Sequence, residues 1–344
     1  MTNTQGSTFD DVLIVIPCLN EARHLPGLLT VLGQEAPTAL IVVADGGSTD
    51  GSPDIVRDFA ARGARVELME NPRRIQSAGV NLAARRFGAG RDWMIRVDAH
   101  CGYDPGFLTA LLAAADRTGA TSVVVPMATQ GEACFQKACA AAQNSVLGTG
   151  GSAHRSLGDG RFVDHGHHAL FRLEAFLAAG GYDETFSHNE DAELDARLVQ
   201  AGARIWLEPA AAIVYYPRRT PGALFRQYIK YGEGRAKTIQ RHKPKLKVRQ
   251  MLPLVVAPAV LVALAGFVWP LLALPALMWA ALCLGFGVLL GVRQRSACAA
   301  LAGAAAMIMH FAWSAGFLRQ MLLGRRPGAT PVPLSTEPAG TRNP

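Results

Sequence analysis

The sequence predicts an α/β fold in which a mainly parallel sheet is flanked by helices, with transmembrane helices near the C-terminus. Short β-branched runs alternate with helical patterns at spacings of about thirty residues, which is typical of parallel strands joined by helical crossovers. Residues 251–292 contain no Asp, Glu, Lys or Arg, a run longer than the roughly 20 residues that cross a bilayer once. A hairpin buried in a soluble core is disfavoured, because soluble helices carry a polar face.

The first two thirds of the chain supply the predicted sheet and its helices. Strands are expected at residues 11–17, 40–44, 65–69, 93–97, 122–125 and 204–207, where β-branched and other apolar residues cluster. Helices are expected from residue 52, where Ser is followed by Pro, then over 75–87, after residue 105, over 170–179 and over 190–200. Glycines end the last two helices.

The predicted domain organisation follows the change in composition along the chain. Residues 1–9 are expected to be a disordered N-terminus, 10–240 the α/β domain, 241–250 a basic juxtamembrane segment, 251–323 a membrane region of two or three helices, and 324–344 a disordered tail. A mobile loop is expected at 148–160. Spans are predicted at 252–268 and 271–292, with a slight preference for a third at 297–318. An interfacial or re-entrant segment is the alternative there, because a third crossing would place the following arginines outside.

Positive charge is concentrated just before the apolar run. Residues 217–249 hold eleven Lys and Arg and one acidic residue, a charge of +10 in a chain whose total is +7. A basic block beside a membrane span marks the cytoplasmic side and faces anionic lipid. No nucleic-acid partner is expected, since no recognition motif accompanies the charge.

The cysteines and the N-terminal residues also favour a cytosolic α/β domain. The six cysteines are scattered and form no CxxC pair, so free thiols in a reducing compartment are expected. Residues 1–10 are polar, so no secretory signal is expected.

Asp98 and His100 are the candidate metal ligands. They follow the predicted strand 93–97, and ligands bind outside the carboxyl ends of parallel strands. A carboxylate and an imidazole one residue apart can turn to one point and suit Mn²⁺ or Mg²⁺, with His100 favouring Mn²⁺. Such an ion would bridge two phosphates and neutralise a leaving nucleoside diphosphate. An ordinary turn at a strand end explains the D-x-H pattern equally well.

Asp45 begins a second candidate segment, DGGSTDGS, at the end of another predicted strand. The segment lacks the G-x-G-x-x-G fingerprint, so a dinucleotide-dependent dehydrogenase is disfavoured. The Asp45 carboxylate can accept a hydrogen bond from a uracil imide or a ribose hydroxyl. A polar turn between strand and helix is the alternative.

Glu190 and Asp191 open a predicted polar helix. Acidic residues in a first helical turn oppose the macrodipole and need no further explanation. The functional alternative makes Asp191 a general base that deprotonates an acceptor hydroxyl for in-line attack on the anomeric carbon of a sugar.

Five segments together resemble glycosyltransferase family 2, whose members have the GT-A nucleotide-diphospho-sugar transferase fold. The segments are VIPCLNEARHL from residue 15, VVADGGSTDGS from 42, RVDAH from 96, GGYDE from 180 and NEDAELDARLVQAGARIWLEP from 189. The resemblance covers about residues 10 to 240. Within the family the sequence is most similar to the ExoA-type transferases of succinoglycan and related exopolysaccharide assembly.

The resemblance implies a role for each matching acidic residue and for the histidine. Glu21 and Asp45 would contact the nucleoside, Asp98 would contact the ribose-diphosphate and the metal, and His100 would be a metal ligand. Asp191, with Glu190 beside it, would be the catalytic base.

Two departures from the family pattern accompany these assignments. Arg226 and Gln227 of RQYIKYG stand where the family often has Q-x-x-R-W, and would touch the diphosphate or the acceptor. The DAH triplet replaces the commoner D-x-D and is similar to the D-S-H-C of polypeptide N-acetylgalactosaminyltransferases, which retain configuration. The Glu190-Asp191 pair argues instead for inversion.

Other polar residues stay without an assigned role. Arg73 and Arg74 precede a predicted helix and would face either phosphates or solvent. Five histidines cluster within 35 residues, and any of them would suit a metal shell or a structural role; they are His154, His165, His167, His168 and His188.

The sequence as a whole predicts a membrane-anchored, inverting, metal-dependent hexosyltransferase. The expected donor is a UDP-sugar, with glucose as the first expectation, and the expected acceptor is a polyprenyl-diphosphate-linked saccharide in exopolysaccharide assembly. Membrane lipid and other polysaccharide-assembly proteins are the further expected partners. The expected location is the cytoplasmic (inner) membrane, with the catalytic domain facing the cytosol.

Two alternatives to this function stay open. One is a polyprenyl-phosphate sugar synthase, which Asp191 disfavours because a phosphate acceptor needs no base. The other is a non-catalytic membrane scaffold with a sugar-nucleotide-binding fold, which the presence of all the expected acidic residues disfavours.

Overall fold

The computed structural model of the chain describes residues 9–150, 158–186, 188–243, 251–325, 328 and 330–336. Two units are distinguished. One comprises Met1–Pro126, Leu157–Ile213 and Ala329–Pro344, and the other Met127–Ser156 and Val214–Gly328. His154, most of the predicted N-terminal, juxtamembrane and tail segments, and half of the predicted loop 148–160 lie outside the described residues. The domain bounds inferred from the sequence stay a prediction.

An eight-stranded sheet forms the centre of the first unit. The strands in chain order are β1 (Val12–Cys18), β2 (Leu40–Asp45), β3 (Val66–Glu70), β4 (Trp93–Arg96), β5 (Gly102–Tyr103), β6 (Ser122–Val125), β7 (Met127–Thr129), β8 (Arg161–Val163), β9 (His167–Arg172), β10 (Ile205–Leu207) and β11 (Ile213–Tyr215). The eight-stranded sheet has the order β3-β2-β1-β4-β9-β6-β10-β8. Strands β3, β2, β1 and β4 are mutually parallel, as are β6 and β10. The predicted α/β fold with a mainly parallel sheet is therefore confirmed.

The antiparallel strand β9 corrects one prediction. The helix expected over 170–179 is wrong over its first three residues, because they belong to β9, which lies between β4 and β6 and runs antiparallel to both. Residues 169–171 are almost fully buried there. A continuous apolar run fits a buried strand and a buried helix equally well, so periodicity could not separate the two.

The helices predicted from residues 52, 75, 105 and 190 begin within two residues of those positions. Those up to residue 242 are α1 (Leu25–Glu35), α2 (Ser52–Ala61), α3 (Gln76–Phe87), α4 (Phe107–Thr118), α5 (Cys134–Gln143), α6 (Val146–Thr149), α7 (Leu173–Ala178), α8 (Glu190–Gln200) and α9 (Pro221–His242). Helices α3, α7 and α8 contribute to one apolar core with β1, β2 and β4. The start of α8 is thereby fixed against the sheet, which matters for the site.

The second unit is mostly helical and exposes much apolar surface. After α9 the chain forms Leu252–Val255, Val256–Ala263, Leu264–Phe267, Pro270–Ala273, Leu274–Arg293, Ala297–Ala300 and Ala302–Leu323. Two segments are long and apolar enough to cross a membrane by length and composition, Pro270–Arg293 and Ala297–Leu323. In the first, 11% of the most apolar stretch is buried inside the protein, against 50% in the second. The span predicted at 252–268 corresponds to a shorter apolar helix, Leu252–Phe267.

Two cysteines correct the expectation of free thiols. Cys134 at the start of α5 and Cys298 form a disulfide, with Cα atoms 5.0 Å apart. They are 164 residues apart in sequence, so spacing gave no sign that the fold brings them together. The other four cysteines are free.

The tail predicted to be disordered contains a short placed segment, residues 330–336. The Leu334 backbone N–H donates to the Leu177 carbonyl at 2.9 Å, so this segment lies against the end of α7.

The turn that follows α7 contains Gly180 and Gly181, both with positive φ. Tyr182 comes next and pairs with Asn81 of α3 through two hydrogen bonds of 2.8 Å.

We expect Gly181→Ala to destabilise the protein more than Gly202→Ala. Both glycines have positive φ, which costs a side chain about 1–2 kcal/mol. A Cβ at Gly202 meets nothing within 4 Å, whereas one at Gly181 would clash with Asn81 Oδ1 and lie 2.8 Å from Leu334. Losing a buried hydrogen bond adds about 1–3 kcal/mol. Melting temperatures of the two purified variants in detergent test this, and equal losses would contradict it.

Candidate active site

A cleft opens at the carboxyl ends of β1, β2 and β4. Its volume is about 220 Å³. Its polar lining comprises Glu21, Asn71, Arg74, Gln76, Asp98 and His100. The parallel register brings these residues together, because Cys18 at the end of β1 pairs with Asp45 at the end of β2, and Asp98 follows β4.

Arg96, the last residue of β4, is the centre of a buried network of charges. Its Nε lies 3.3 Å from Asp98 Oδ1, and its Nη1 lies 2.8 Å from Asp191 Oδ1. Nη1 also donates to the Tyr182 hydroxyl at 2.9 Å and lies 4.0 Å from Glu190 Oε1. The Arg96 side chain is only 3% exposed. One guanidinium therefore joins the carboxylate after β4 to the pair that opens α8.

The Arg96 charge controls the ionisation of the neighbouring carboxyl groups. Burial opposes ionisation of Asp98, but Arg96 and His167 outweigh it and hold the pKa of Asp98 well below its usual range. The pKa of Asp191 is lowered in the same way, against the effect of its burial. Glu190 differs, because burial and the charge of Asp191 raise its pKa to about 7. The site thus combines two strongly ionised carboxylates with one that titrates near neutrality.

His167 on β9 contacts the same two aspartates. Its Nε2 lies 3.4 Å from Asp98 Oδ2, and its Nδ1 lies 3.4 Å from Asp191 Oδ2. Burial lowers the pKa of His167, but hydrogen bonds to both carboxylates outweigh it and raise the pKa to about 9. The ring is therefore protonated at neutral pH. Tyr182 completes the surroundings of Asp191 by donating its hydroxyl to Oδ1 at 2.9 Å.

Asp45 lies beside the cleft with one oxygen committed and one free. Oδ2 accepts from the backbone N–H groups of Gly47 at 2.9 Å and Ser48 at 3.0 Å. Oδ1 is buried and has no hydrogen-bond partner among the described residues. Ala44 and Gly46, on either side of Asp45, line the cleft. The free oxygen is an acceptor that a ligand N–H or O–H group would satisfy.

The two arginines before α3 have different surroundings. Arg74 lines the cleft and has a positive φ of 56°, and its guanidinium lies over Gly47. Arg73 instead pairs with Glu184. Of these two arginines, only Arg74 places its positive charge in the cleft.

The cleft contains two candidate metal-ligand side chains, Asp98 and His100. His100 is 57% exposed, with Nδ1 3.1 Å from Glu21 Oε1. The Asp98 Oδ1 atom accepts a hydrogen bond from the Gln76 side chain at 3.1 Å. The other oxygen, Oδ2, lies 3.4 Å from His167 Nε2 and has a further lone pair for a ligand. The described residues contain no cluster of three or more His, Cys, Asp and Glu side chains able to hold a metal. Mg²⁺ sites often use one or two carboxylates plus substrate phosphates, which matches this partial set.

The structure brings the sequence-predicted site residues of the first unit together. Glu21, Asp98 and His100 line one cleft, and Asp191 and Glu190 reach it through Arg96. Arg226 and Gln227 lie on α9 in the other unit, and their contact with the diphosphate or acceptor stays a prediction. Sequence reasoning assigned no role to four side chains of the network, namely Gln76, Arg96, His167 and Tyr182. An arginine at the end of an apolar strand was the available signal for one of them.

Fold and site together define a nucleotide-sugar transferase class, and comparisons with known proteins agree. The family model described as glycosyl transferase family 2 matches residues 13–178, and that of glycosyl transferase family group 2 matches residues 153–323. The succinoglycan biosynthesis protein ExoA of Rhizobium meliloti (strain 1021) is 52% identical over 316 residues, covering 91% of this chain and 96% of that protein. The chain therefore belongs to glycosyltransferase family 2, and the predicted resemblance to its ExoA-type members is confirmed.

More distant proteins share the fold. The mannosyltransferase PcManGT from Pyrobaculum calidifontis, solved in complex with GDP-Man and Mn²⁺, superposes with a TM-score of 0.55 at 20% identity, covering 91% of this chain and 87% of that one. The pre-mycofactocin glycosyltransferase of Mycobacterium tuberculosis (strain CDC 1551 / Oshkosh) is 28% identical over 265 residues, which are 75% of this chain and 53% of that protein. The predicted GT-A fold is thus confirmed.

Proposed function

We propose that the chain is a membrane-associated, metal-dependent, inverting hexosyltransferase that uses a UDP-sugar in exopolysaccharide assembly. The observation that carries this proposal is the network around Arg96. One buried guanidinium there binds both Asp98 of the donor cleft and Asp191 at the start of α8. Arg96 thereby joins Asp98, which we assign to the diphosphate and its metal ion, to Asp191, which we assign to the acceptor. Similarity to a succinoglycan biosynthesis protein supports the class of product.

The free oxygen of Asp45 supports a uridine nucleotide. An unpaired buried acceptor costs about 1–3 kcal/mol, which a ligand donor recovers on binding. Uracil presents one imide N–H, which matches the single free oxygen Oδ1. Guanine presents two adjacent donors, N1–H and N2–H₂, and Oδ2 is already saturated by two backbone N–H groups. A guanine base would therefore leave a donor unpaired.

In this proposal the diphosphate of the donor lies beside Asp98, His100 and Arg74. Asp98 and His100 would hold Mn²⁺ or Mg²⁺, which neutralises the charge that develops on the departing diphosphate. Arg74 contributes a permanent positive charge in the same cleft. Glu21, which contacts His100, is placed to orient that imidazole or to contact the nucleoside.

The transfer step that we propose uses Asp191 as the general base. The carboxylate takes the proton of an acceptor hydroxyl, and the hydroxyl oxygen forms a bond to the anomeric carbon. The bond between that carbon and the diphosphate oxygen breaks, so UDP leaves with the bonding electrons. Attack opposite to the leaving group inverts the anomeric configuration. Hydrogen bonds from Tyr182 and Arg96 fix the Asp191 carboxylate for this attack.

One observation favours Glu190 as a second candidate for the base. A general base works best when its pKa lies near the working pH. Burial and Asp191 raise the pKa of Glu190 to about 7, whereas the pKa of Asp191 is held low. The two assignments of the base predict different pH profiles of kcat.

The acceptor that we propose is a saccharide carried on a polyprenyl diphosphate at the membrane. The segments Pro270–Arg293 and Ala297–Leu323 supply the apolar surface that would hold the enzyme beside such a lipid. Glucose is the first sugar to test. A lipid phosphate as direct acceptor is disfavoured, because its oxyanion needs no base and the pair at the start of α8 would have no task.

A donor screen tests the central proposal. We expect the purified enzyme, with membrane lipid extract as acceptor, to transfer label from a UDP-hexose in preference to GDP-mannose. EDTA should abolish transfer, and added Mn²⁺ or Mg²⁺ should restore it. His100→Ala should weaken the dependence of UDP binding on metal, while His24→Ala, an exposed histidine outside the cleft, serves as the control.

Four results would contradict parts of this proposal. Full activity in excess chelator would remove the metal assignment. Use of GDP-mannose alone would remove the Asp45 argument. Label found on polyprenyl phosphate itself would support the synthase alternative. If the protein releases UDP from none of the UDP-sugars tested, the result would support a non-catalytic scaffold.

Paired substitutions identify the base. We expect Asp191→Asn to lower kcat by roughly 10²–10⁴, the usual contribution of general acid–base catalysis, while UDP-sugar binding is retained. Glu190→Gln is the matched control and should keep most of the activity. Because the base must be deprotonated and the pKa of Asp191 is low, kcat should be flat from about pH 8 down to pH 5. If kcat instead falls as the pH drops through about 7, and Glu190→Gln shows the large loss, Glu190 is the base.

Membrane topology is the last prediction from this proposal. UDP-sugars are made in the cytosol, and positive charge before the apolar helices favours a cytosolic side. A reporter fused at residue 1 should therefore score as cytoplasmic. If reporters fused after residues 295 and 328 score on the same side of the membrane, the chain between them crosses the membrane an even number of times or not at all. An extracytoplasmic score at residue 1 would overturn the orientation.

A further inference from the structure

His167 lies between the two aspartates to which the proposed function gives separate tasks. Its ring nitrogens lie 3.4 Å from Asp98 Oδ2 and 3.4 Å from Asp191 Oδ2. Arg96 contacts the other oxygen of each carboxylate, Oδ1 in both cases. The two aspartates are thus bridged twice, by different side chains and through different oxygens.

A double bridge restrains a carboxylate more than a single one. With Arg96 alone, each carboxylate could pivot about its bridged oxygen, and the lone pair aimed at a substrate would vary. The contact of His167 with the second oxygen removes that rotation. A misplacement of about 1 Å in a reacting group can cost on the order of 10²-fold in rate, so the restraint has kinetic consequences.

The residue that follows His167 also contacts α8. His168, the next residue of β9, pairs with Asp195 and lies 3.1 Å from Ser122 Oγ. Asp195 and Asp191 are four residues apart on α8, so they lie on the same face of that helix. Two successive histidines therefore bind two successive turns of α8, which fixes the height of the helix relative to β9.

We propose that His167 is a positioning residue that holds Asp98 and Asp191 in register, linking the donor cleft to the base. This inference rests on the proposed function, which assigns those aspartates to donor and acceptor. His167 touches neither substrate in this role and acts through the two carboxylates.

Substitutions that remove the bridge test the role. His167→Phe keeps a ring but cannot donate, and His167→Ser is too short to reach either carboxylate and tests the same loss if the Phe variant does not fold. We expect kcat to fall about 10–100-fold, the effect of one to two charge-assisted hydrogen bonds. The KM for UDP-sugar should change less than about threefold, since Arg74 and Asp45 are untouched. His167→Gln, which retains an N–H donor, should recover part of kcat.

A matched substitution at a histidine outside the cleft serves as the control. His24→Phe makes the same exchange at an exposed histidine outside the cleft and should leave kcat unchanged. Wild-type kcat in the Phe and Ser variants would overturn the proposal. Equal losses of kcat in the Gln and Phe variants would also overturn the proposal. Such a result would mean that the N–H donor of glutamine gives no benefit, so that His167 would only fill space.

A stability measurement keeps this inference separate from the proposed reaction. Melting temperatures of His167→Phe, Asp191→Asn and the double variant form a cycle that needs no substrate. We expect the double variant to be more stable than the sum of single losses predicts, because both singles break the same contact. Additive losses would overturn the bridge even in an enzyme with the expected UDP-sugar activity. Coupled losses in a protein that uses no UDP-sugar would leave the bridge intact and refute the proposed donor.

Discussion

The site depends on one buried positive charge, the guanidinium of Arg96. An arginine stays protonated in a protein, so its burial is tolerable only if partners replace water. Those partners come from three places in the sequence: the turn after β4, the turn after α7 and the start of α8. Each must be in position before the guanidinium is satisfied. Breaking a buried pair of this kind typically costs about 3–5 kcal/mol, so the folded state and the arrangement of the carboxylates are specified by the same contacts.

The balance of charge around Arg96 also explains why two adjacent acids differ. Asp191 binds Arg96 and His167 directly, and its ionised form is strongly favoured. Glu190 lies 4.0 Å from Arg96 and faces the charge of its neighbour, so its ionised form is disfavoured. Catalytic hydrogen bonds often shorten or exchange when substrates bind. A donor that brings a diphosphate and its metal ion would change the charge beside Asp98, and the partners of His167 and Arg96 would respond together.

The sequence predicted the sheet and its ligand-binding edge for a simple physical reason. Parallel strands bring their carboxyl ends to one side, so Asp45 and Asp98 could be placed near each other without any knowledge of side-chain geometry. The contact between Arg96 and Asp191 could not be placed in this way, since the two residues are 95 positions apart and no periodicity links them. The strand β9 was missed because its apolar run fits two kinds of structure. The disulfide was missed because its loop of 164 residues leaves no local pattern.

The C-terminal apolar helices share a unit with segments from the middle of the chain, which limits how the protein can be divided. The second unit contains Met127–Ser156 and Val214–Gly328, so the segment Leu157–Ile213 of the first unit lies between them in sequence. Its apolar core combines α5 residues such as Ala138 with Leu224 of α9 and Met309 of Ala302–Leu323. The helices α9 and Ala302–Leu323 approach so closely that a Cβ at Gly232 or Gly316 would clash with the opposite backbone. A chain ended near residue 250 would expose these faces to water, because the helix that covers them would be missing. The apolar helices are therefore part of the folded protein as well as the proposed attachment to the membrane.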